Sequence, residues 1–127
     1  MTALGTVELN RIVTDALDEW ADAIRAHEPE RAASSFTKDA VFQGFDRTHT
    51  VGRPGIAAYY DKQPVGLSPT YEVLERRQLS DDTLIAYVAV DFARPDGVVI
   101  RVHLTAVLVR ADGAWLLSHY HVSKIEV

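Results

Sequence analysis

The hydrophobic period of the sequence changes at Ser68, and this change limits the possible folds more than any other feature. Before it, the apolar residues from Leu9 to Ile24 recur at the i, i+3, i+4, i+7 spacing of an amphipathic helix. After it, apolar and polar residues alternate with the period of two that is typical of strands. Helices that precede strands predict an α+β domain, with the helices packed against one face of a sheet.

Capping and turn residues predict the shorter elements. Thr6 is suited to cap the first helix, Pro29 begins a second helix that ends at Phe36, and Gly52-Arg53-Pro54 opens a third. A short strand is expected at Val41–Phe45. Turns rich in Asp, Gly and Pro separate four later strands, which favours an antiparallel meander. These strands are predicted at 70–79, 83–93, 98–109 and 115–124.

Composition narrows the functional classes. The 127 residues make one domain, and 13 basic against 18 acidic side chains give a net charge of −5. This balance disfavours a protein that binds nucleic acid or an anionic membrane. The sequence has no cysteine, which excludes disulfides and thiolate chemistry. It also lacks an apolar run of membrane-spanning length and the regions of a signal peptide, so we expect a cytoplasmic protein.

The turn between the second and third strands of the meander sets the register of these two strands. Taken as a two-residue type I′ loop, Asp96-Gly97 places Asp91 opposite Val102, on the face under the helices. A three-residue loop at Pro95-Asp96-Gly97 would instead place Asp91 on the other face, beside Arg101. The first register is the one that we carry forward.

The last hairpin is predicted with a three-residue loop, Ala111-Asp112-Gly113, and a left-handed Gly113. The two registers together divide the meander into two faces. The face expected under the helices carries Tyr87, Ala89, Asp91, Val102, Leu104, Ala106, Ser118, Tyr120 and Val122. The opposite face carries Val88, Val90, Phe92, Arg101, His103, Thr105, Val107, Trp115, Leu117, His119, His121 and Ser123.

The second of these faces is too apolar to remain in water. It holds Trp115, Leu117 and Val107, and all three helices are needed on the other side of the sheet. A second copy of the chain is the simplest cover, so the sequence predicts a homodimer through this outer sheet face.

The order of the elements and several short segments resemble a known superfamily. The segments are Pro29 to Phe36, Asp39-Ala40-Val41-Phe42, Val51 to Ile56, and the ending Trp115 with His119-Tyr120-His121-Val122-Ser123. The chain resembles the nuclear transport factor 2-like superfamily in its SnoaL-like branch. Its ending is similar to SgcJ/EcaC-type proteins and to the association domain of calcium/calmodulin-dependent kinase II. The resemblance implies a cone-shaped antiparallel sheet around the long helix, with a pocket between them, usually in a dimer.

One activity of this superfamily is not expected here. Its ketosteroid isomerases use an aspartate base, with a tyrosine and a protonated aspartic acid at an oxyanion. Laid on this chain, that pattern places Trp20 at the tyrosine, Gln43 at the base and Ala106 at the acid. Neither Trp20 nor Gln43 moves a proton at neutral pH, so this apparatus is missing.

Asp91 is the catalytic candidate in the register that we carry forward. A carboxylate among alanine, valine and leucine side chains is suited to act as an acid or a base. The alternative is a hydrated carboxylate at the rim, or one paired with an arginine such as Arg53.

Five further side chains are expected to bind a substrate. They are Trp20, Gln43, Tyr60, Tyr87 and Tyr120. The alternative for the aromatic residues is core packing with satisfied polar tips, and for Gln43 a hydrogen bond at the end of a strand.

Three histidines raise the question of a metal. In the predicted register His103 lies opposite His121 on the outer face, with His119 nearby. Zinc accepts three imidazoles, but no carboxylate is expected beside them. We therefore expect interface histidines, no metal site and no cofactor.

These observations predict a small-molecule-binding cone for an apolar metabolite. As an enzyme it would carry out cofactor-free acid–base chemistry: isomerisation, cyclisation, dehydration or hydrolysis. Asp91 would carry the proton, while Tyr87, Tyr120 and Gln43 would orient the substrate. The alternative is a non-catalytic domain that binds a ligand or assembles other proteins.

Overall fold

A computed structural model describes residues 4–125, and over this range the chain is an α+β domain. Its helices are α1 (Thr6–Arg25), α2 (Pro29–Ser34) and α3 (Arg53–Asp61). Its strands are β1 (Phe36–Gln43), β2 (Thr50–Val51), β3 (Ser68–Ser80), β4 (Thr83–Ala93), β5 (Val99–Ala111) and β6 (Ala114–Lys124). Residues 1–3, on which the expectation of no signal peptide rests, lie outside this range. Among the described helices, none has the length and apolar character to cross a membrane.

The strands form one sheet in the order β2-β1-β6-β5-β4-β3. The antiparallel meander from β3 to β6 and the fold class are confirmed. The sequence did not predict β2, nor the parallel pairing of β1 with β6. A parallel pair joins residues that are far apart in the chain, so no local turn residue marks it.

The chain enters β1 earlier than predicted. Helix α2 ends at Ser34, and Phe36 is already paired with Leu117 of β6. The Leu117 N–H donates to the Ser35 carbonyl oxygen at 2.9 Å, which ties the end of α2 to the sheet. The predicted cap of α1, Thr6, is wrong as well. Gly5 occupies the N-cap position, and no side chain caps the helix there.

Helix α1 covers the concave face of the sheet with its apolar side, where Val13, Leu17 and Trp20 have no exposed surface. Its two ends are fixed to β3. At one end the Leu4 N–H donates to Gln78, and at the other Arg25 donates to the Pro69 carbonyl oxygen. The helix therefore runs along β3 and forms the wall against which the interior packs.

The turn between β4 and β5 is a three-residue loop, Pro95-Asp96-Gly97, so the predicted two-residue loop is wrong. Arg94 and Val98 close the loop, with the Arg94 N–H donating to the Val98 carbonyl oxygen at 2.8 Å. A two-residue loop would need the residue before Asp96 to donate that bond, and proline has no N–H. Gly97 takes the left-handed conformation that the longer loop requires, with φ of 89°.

The last hairpin differs in the opposite sense. Its loop has two residues, Asp112-Gly113, with φ of 53° and 80°, and Ala111 pairs with Ala114. The additional residue lies in the strand, where the register of β6 shifts next to Ser118. Because of this bulge, both Leu117 and Tyr120 are buried.

These two turns correct the predicted faces. Strand β4 is reversed: its even-numbered residues are buried, and its odd-numbered residues lie on the outer face. The concave face consists of Leu84, Ala86, Val88, Val90, Phe92, Val102, Leu104, Ala106, Leu108, Leu117, Tyr120 and Val122, all buried. The predicted positions of Val102, Leu104, Ala106, Tyr120 and Val122 are confirmed, whereas Tyr87, Ala89, Asp91 and Ser118 do not belong to this face. Trp115 packs against the core and Leu117 is buried, so neither belongs to the outer face.

A pair of adjacent lysine substitutions tests the register of β4. Val88→Lys places a charge in the core and is expected to lower the free energy of unfolding by about 3 kcal/mol or more. Ala89→Lys places the same charge on the outer face opposite Glu72, and the expected change is within about 1 kcal/mol. Urea unfolding of both variants measures the difference. Equal losses, or a larger loss for Ala89→Lys, would contradict this register.

Candidate functional site

Seven aromatic side chains fill the space between α1, α3 and the concave face, and all seven are buried. We call them the interior aromatic cluster. Its members are Trp20, Phe36, Phe42, Tyr59, Tyr60, Phe92 and Tyr120. They come from both helices and from β1, β4 and β6, so the cluster forms only when the whole cone is assembled.

Three members of the cluster are joined by hydrogen bonds through their polar tips. The Trp20 Nε1–H donates to the Tyr60 hydroxyl oxygen at 2.9 Å, and the hydroxyls of Tyr60 and Tyr120 are also hydrogen-bonded. The Tyr120 ring stacks on Phe42 with 4.5 Å between ring centroids. The interior of the cone is therefore made of apolar ring surfaces, with the polar atoms of Trp20, Tyr60 and Tyr120 grouped among them.

Burial sets the protonation of these phenols. It raises the pKa of both Tyr60 and Tyr120 well above the ordinary value, and hydrogen bonds from Trp20 and Tyr120 offset only part of the rise at Tyr60. At neutral pH both hydroxyls are therefore uncharged, and they are suited to hydrogen-bond a ligand rather than to exchange protons with it.

Phe45 closes one end of the cone. Its side chain is 38% exposed, and its ring packs edge-on against Phe92 with 5.5 Å between centroids. Its backbone N–H donates to the Tyr59 hydroxyl at 2.9 Å. Gly44 allows this approach, because a Cβ there would lie 2.4 Å from the Tyr59 hydroxyl oxygen. Phe45 is thus a partly exposed cover above a buried aromatic interior.

The Tyr59 hydroxyl lies under this cover. Desolvation is the main cause that raises the pKa of Tyr59 to about 12, and the charge of Asp46 adds to the rise. The bond from the Phe45 N–H lowers it in part. Tyr59 is therefore a third neutral phenol, at the boundary between the interior and the solvent.

A cavity of about 670 Å³ opens beside Phe45, and we call it the mouth cavity. It lies where β1, β5 and β6 meet the turn between β4 and β5. Ile100 and Val122 contribute apolar surface, while Arg94 and Lys124 contribute cations. The full lining is Gln43, Gly44, Phe45, Asp46, Arg94, Ile100, His121, Val122 and Lys124.

Two other open grooves lie on the surface of the domain. One, of about 540 Å³, runs between α1 and the start of β6 beside Trp115, and the other, of about 600 Å³, lies between α2 and α3. Among these three spaces, the mouth cavity is the one that contains Phe45 and so borders the interior aromatic cluster. It is the candidate entrance to the cone.

The structure brings together three of the predicted site residues and separates the others. Trp20, Tyr60 and Tyr120 meet in the interior as described above. Tyr87 lies on the outer face, where its ring contacts His103 with 5.2 Å between centroids. Gln43 lies at the rim of the mouth cavity, where its amide donates to the Asp46 carbonyl oxygen at 2.7 Å.

Asp91 does not face the cone, so its predicted position is wrong. It lies opposite Arg101 on the outer face, with 3.6 Å between the Arg101 Nε and the Asp91 Oδ1. The cause is the three-residue loop at Pro95, which reverses every side chain of β4. The mechanism that used Asp91 as an acid or base inside the cone therefore loses its geometric basis.

The outer face also corrects the predicted pairing of the histidines. His103 lies opposite Ser123, and His121 lies opposite Thr105. Across residues 4–125, no group of three or more histidine, aspartate or glutamate side chains is placed to hold a metal ion.

Several residues of the site were not identified from the sequence. The sequence pattern predicts Phe92 on the wrong face, and it does not identify Phe45, Arg94 or Lys124 as residues of the site. Pro95 indicates the correct face of Phe92, because a proline at this position excludes the two-residue loop that would place Phe92 on the outer face. No short-range pattern marks Phe45, whose position depends on the contact between its loop and Tyr59.

Comparisons with known proteins agree with this architecture. The model of the SnoaL-like domain family matches residues 13–126. A candidate calcium/calmodulin-dependent protein kinase II association domain from Xanthomonas campestris has 23% identity and a TM-score of 0.80, covering 99% of this chain and 95% of its own. A ketosteroid isomerase-like protein from Erwinia carotovora has 24% identity and a TM-score of 0.76, covering 97% and 100%.

A protein from Catenulispora acidiphila, solved in complex with S-DNPA, has 24% identity and a TM-score of 0.71, covering 94% of this chain and 95% of its own. No curated protein matches the sequence. At these identities the similar structures show the fold and not the function.

The buried phenols predict how stability depends on pH. A tyrosine whose pKa is raised on folding contributes stability below the unfolded pKa of about 10, and loses it as the pH rises through the folded pKa. We expect level stability from pH 7 to about 9 and a fall above about pH 10. Tyr59, with a folded pKa of about 12, accounts for part of this fall.

Urea unfolding at a series of pH values tests this expectation with Tyr59→Phe. The variant is expected to lose stability less steeply between pH 10 and 12, by about 1.4 kcal/mol per pH unit. An unchanged slope in Tyr59→Phe would show that this phenol ionises equally well in the folded and unfolded chains.

Proposed function

Since the chain belongs to the SnoaL-like domain family, we propose that it binds an apolar small molecule inside the cone, beneath Phe45 and against the interior aromatic cluster. One observation carries the proposal. A hydrogen-bonded group, Trp20 with Tyr60 and Tyr120, is buried behind Phe92 and Tyr59, and the partly exposed Phe45 packs on these two rings and borders an open cavity. Ligand sites are typically apolar, with a few placed polar groups, and this interior has that composition.

Binding requires Phe45 to move outward. Its ring contacts are with Phe92 and Tyr59, and its exposed side faces solvent. A ligand ring that takes the place of the Phe45 ring would keep the contact with Phe92, so the cost of moving this cover is offset by an equivalent aromatic contact. The Tyr59 hydroxyl lies next to the vacated space and would hydrogen-bond a carbonyl or hydroxyl group.

One similar structure supports a bound ligand. The Catenulispora acidiphila protein was solved in complex with S-DNPA. The net charge of −5 also disfavours a nucleic acid partner. These observations agree with a small-molecule site in the cone.

Binding without catalysis is the function that the geometry supports best. The interior aromatic cluster supplies neutral hydrogen-bond donors, and among residues 4–125 no carboxylate or histidine side chain is buried beside it to carry a proton at neutral pH. Acid–base activity, as an isomerase, cyclase, dehydratase or hydrolase, would need a proton carrier on the substrate itself or at the rim of the mouth cavity.

We also propose that two copies of the chain associate through the outer sheet face. Trp115 and Leu117 do not contribute to it, but Ile85, Tyr87 and Val107 lie on adjacent strands of this face. Tyr87 is 39% exposed, although its strand β4 is paired with a neighbour on each side. An interface with a buried aromatic side chain among aliphatic ones is typical of protein association.

A fluorescence titration with the uncharged probe N-phenylnaphthylamine tests the ligand site. Saturable binding with one site per chain is expected, and Phe45→Ala should bind the probe several-fold more tightly because no ring has to be displaced. Leu74→Ala is the matched control, since Leu74 is also 38% exposed and lies on β3 away from the mouth. No saturable binding by either the native chain or Phe45→Ala would overturn the proposal.

The same titration with Asp91→Asn tests the correction of its role. Since Asp91 pairs with Arg101 on the outer face, the affinity for the probe should stay within about twofold of the native value. A large loss of affinity in a folded Asp91→Asn variant would return this carboxylate to the site.

Sedimentation velocity at micromolar concentration tests the dimer. The native chain is expected to sediment as a dimer and Val107→Glu as a monomer, because the substitution places a carboxylate at the centre of the interface. Lys38→Glu, on an exposed part of β1, should remain dimeric. A monomeric native chain would contradict association through this face.

A further inference from the structure

We infer that the ligand has an anionic group at one end of its apolar body, and that Arg94 and Lys124 bind this group at the mouth cavity. The inference rests on the proposed function and names its ligand class. It applies to carboxylates, sulfonates and phosphates alike, because the recognition depends on charge and on hydrogen-bond acceptors.

Arg94 and Lys124 stand at the rim for a simple geometric reason. Each follows a buried residue of the concave face by two positions, Arg94 after Phe92 and Lys124 after Val122. Side chains two apart on a strand lie on the same face, so both cations continue the concave face beyond its buried part. Both line the same mouth cavity.

The turn holds Arg94 in place and leaves part of its guanidinium available. Its Nε–H donates to the Asp96 Oδ2 at 3.4 Å, while the Asp96 Oδ1 accepts from the Val98 N–H at 3.1 Å. Asp96 is thus fixed by the backbone and positions the arginine. The two terminal nitrogens of Arg94 make no hydrogen bond to any residue from 4 to 125, and the planar guanidinium is suited to a carboxylate.

The charges along the cavity are unbalanced in favour of cations. Two ion pairs balance each other there, Asp46 with Lys62 at 3.1 Å and Arg94 with Asp96 at 3.4 Å, and the cation in excess is Lys124. Lys124 has no ion pair with any residue from 4 to 125. In a chain with a net charge of −5, an excess of positive charge at the entrance is a local feature, and it would attract an anion and repel a cation.

The apolar part of the cavity fixes the orientation of such a ligand. Ile100 and Val122 lie between the two cations and the interior, and Phe45 forms the adjoining wall. An anionic group at the rim remains partly hydrated, which keeps its desolvation cost low, while the apolar body extends toward Phe92. The ligand class is therefore an aromatic or aliphatic acid whose charge remains at the entrance.

Two probes that differ by one charge test this inference. They are anilinonaphthalene sulfonate and the uncharged N-phenylnaphthylamine, each titrated against the full chain by fluorescence. The native chain should bind the sulfonate more tightly than the neutral probe. Arg94→Gln and Lys124→Gln should each weaken sulfonate binding by about tenfold and change neutral binding by less than about twofold.

Lys38→Gln is the matched control, because it removes an exposed cation from β1 and should leave both affinities unchanged. Thermal melting shows whether each variant is folded. Equal affinity for the sulfonate in the native chain, Arg94→Gln and Lys124→Gln would overturn the inference. Binding of the neutral probe in the same experiment would still support the proposed site. Absence of binding for both probes, in the native chain and in Phe45→Ala, would overturn the proposed function itself.

Discussion

The missing N–H of Pro95 determines which side of β4 reaches the interior. A two-residue turn needs a donor at that position, and without one the hairpin closes between Arg94 and Val98. The single additional residue in the loop decides the pairing of β4 with β5 along their whole length. Because side chains alternate between faces, that register selects Val88, Val90 and Phe92 for the core and sends Asp91 to the outer face.

The interior aromatic cluster depends on this register. Phe92 contacts Trp20 on one side and Phe45 on the other, with centroid separations of 6.0 and 5.5 Å. It therefore links the buried polar group of the cone to its cover. Had the other register formed, a carboxylate and a tyrosine would occupy this wall, and the interior would be suited to acid–base chemistry. The observed wall is suited to binding an apolar body.

The sequence predicts those parts of the fold that have a local cause. The spacing of Val13, Leu17 and Trp20 identifies α1 and its buried side, and alternation identifies the strands of the meander. The inward positions of Leu104 and Tyr120 also follow from alternation. Residues that depend on contacts between distant segments could not be placed in this way.

The residues of β1 are one example. Strand β1 pairs in parallel with β6, from which most of the chain separates it. Phe45 takes its position from a hydrogen bond to Tyr59 and from the close approach of Gly44 to that ring. The bulge beside Ser118 has no turn residue to mark it. Three candidate ligand residues, Trp20, Tyr60 and Tyr120, were found because buried aromatic side chains on predicted elements converge in a cone.

The proposed ligand occupies the cone beneath Phe45. A crystal structure of the chain soaked with N-phenylnaphthylamine tests this position most directly. We expect electron density for the probe against Phe92 and next to the Tyr59 hydroxyl, with the Phe45 ring turned outward and away from Phe92. A probe bound in the groove between α1 and β6 or on the outer face, with Phe45 still packed on Phe92, would contradict it.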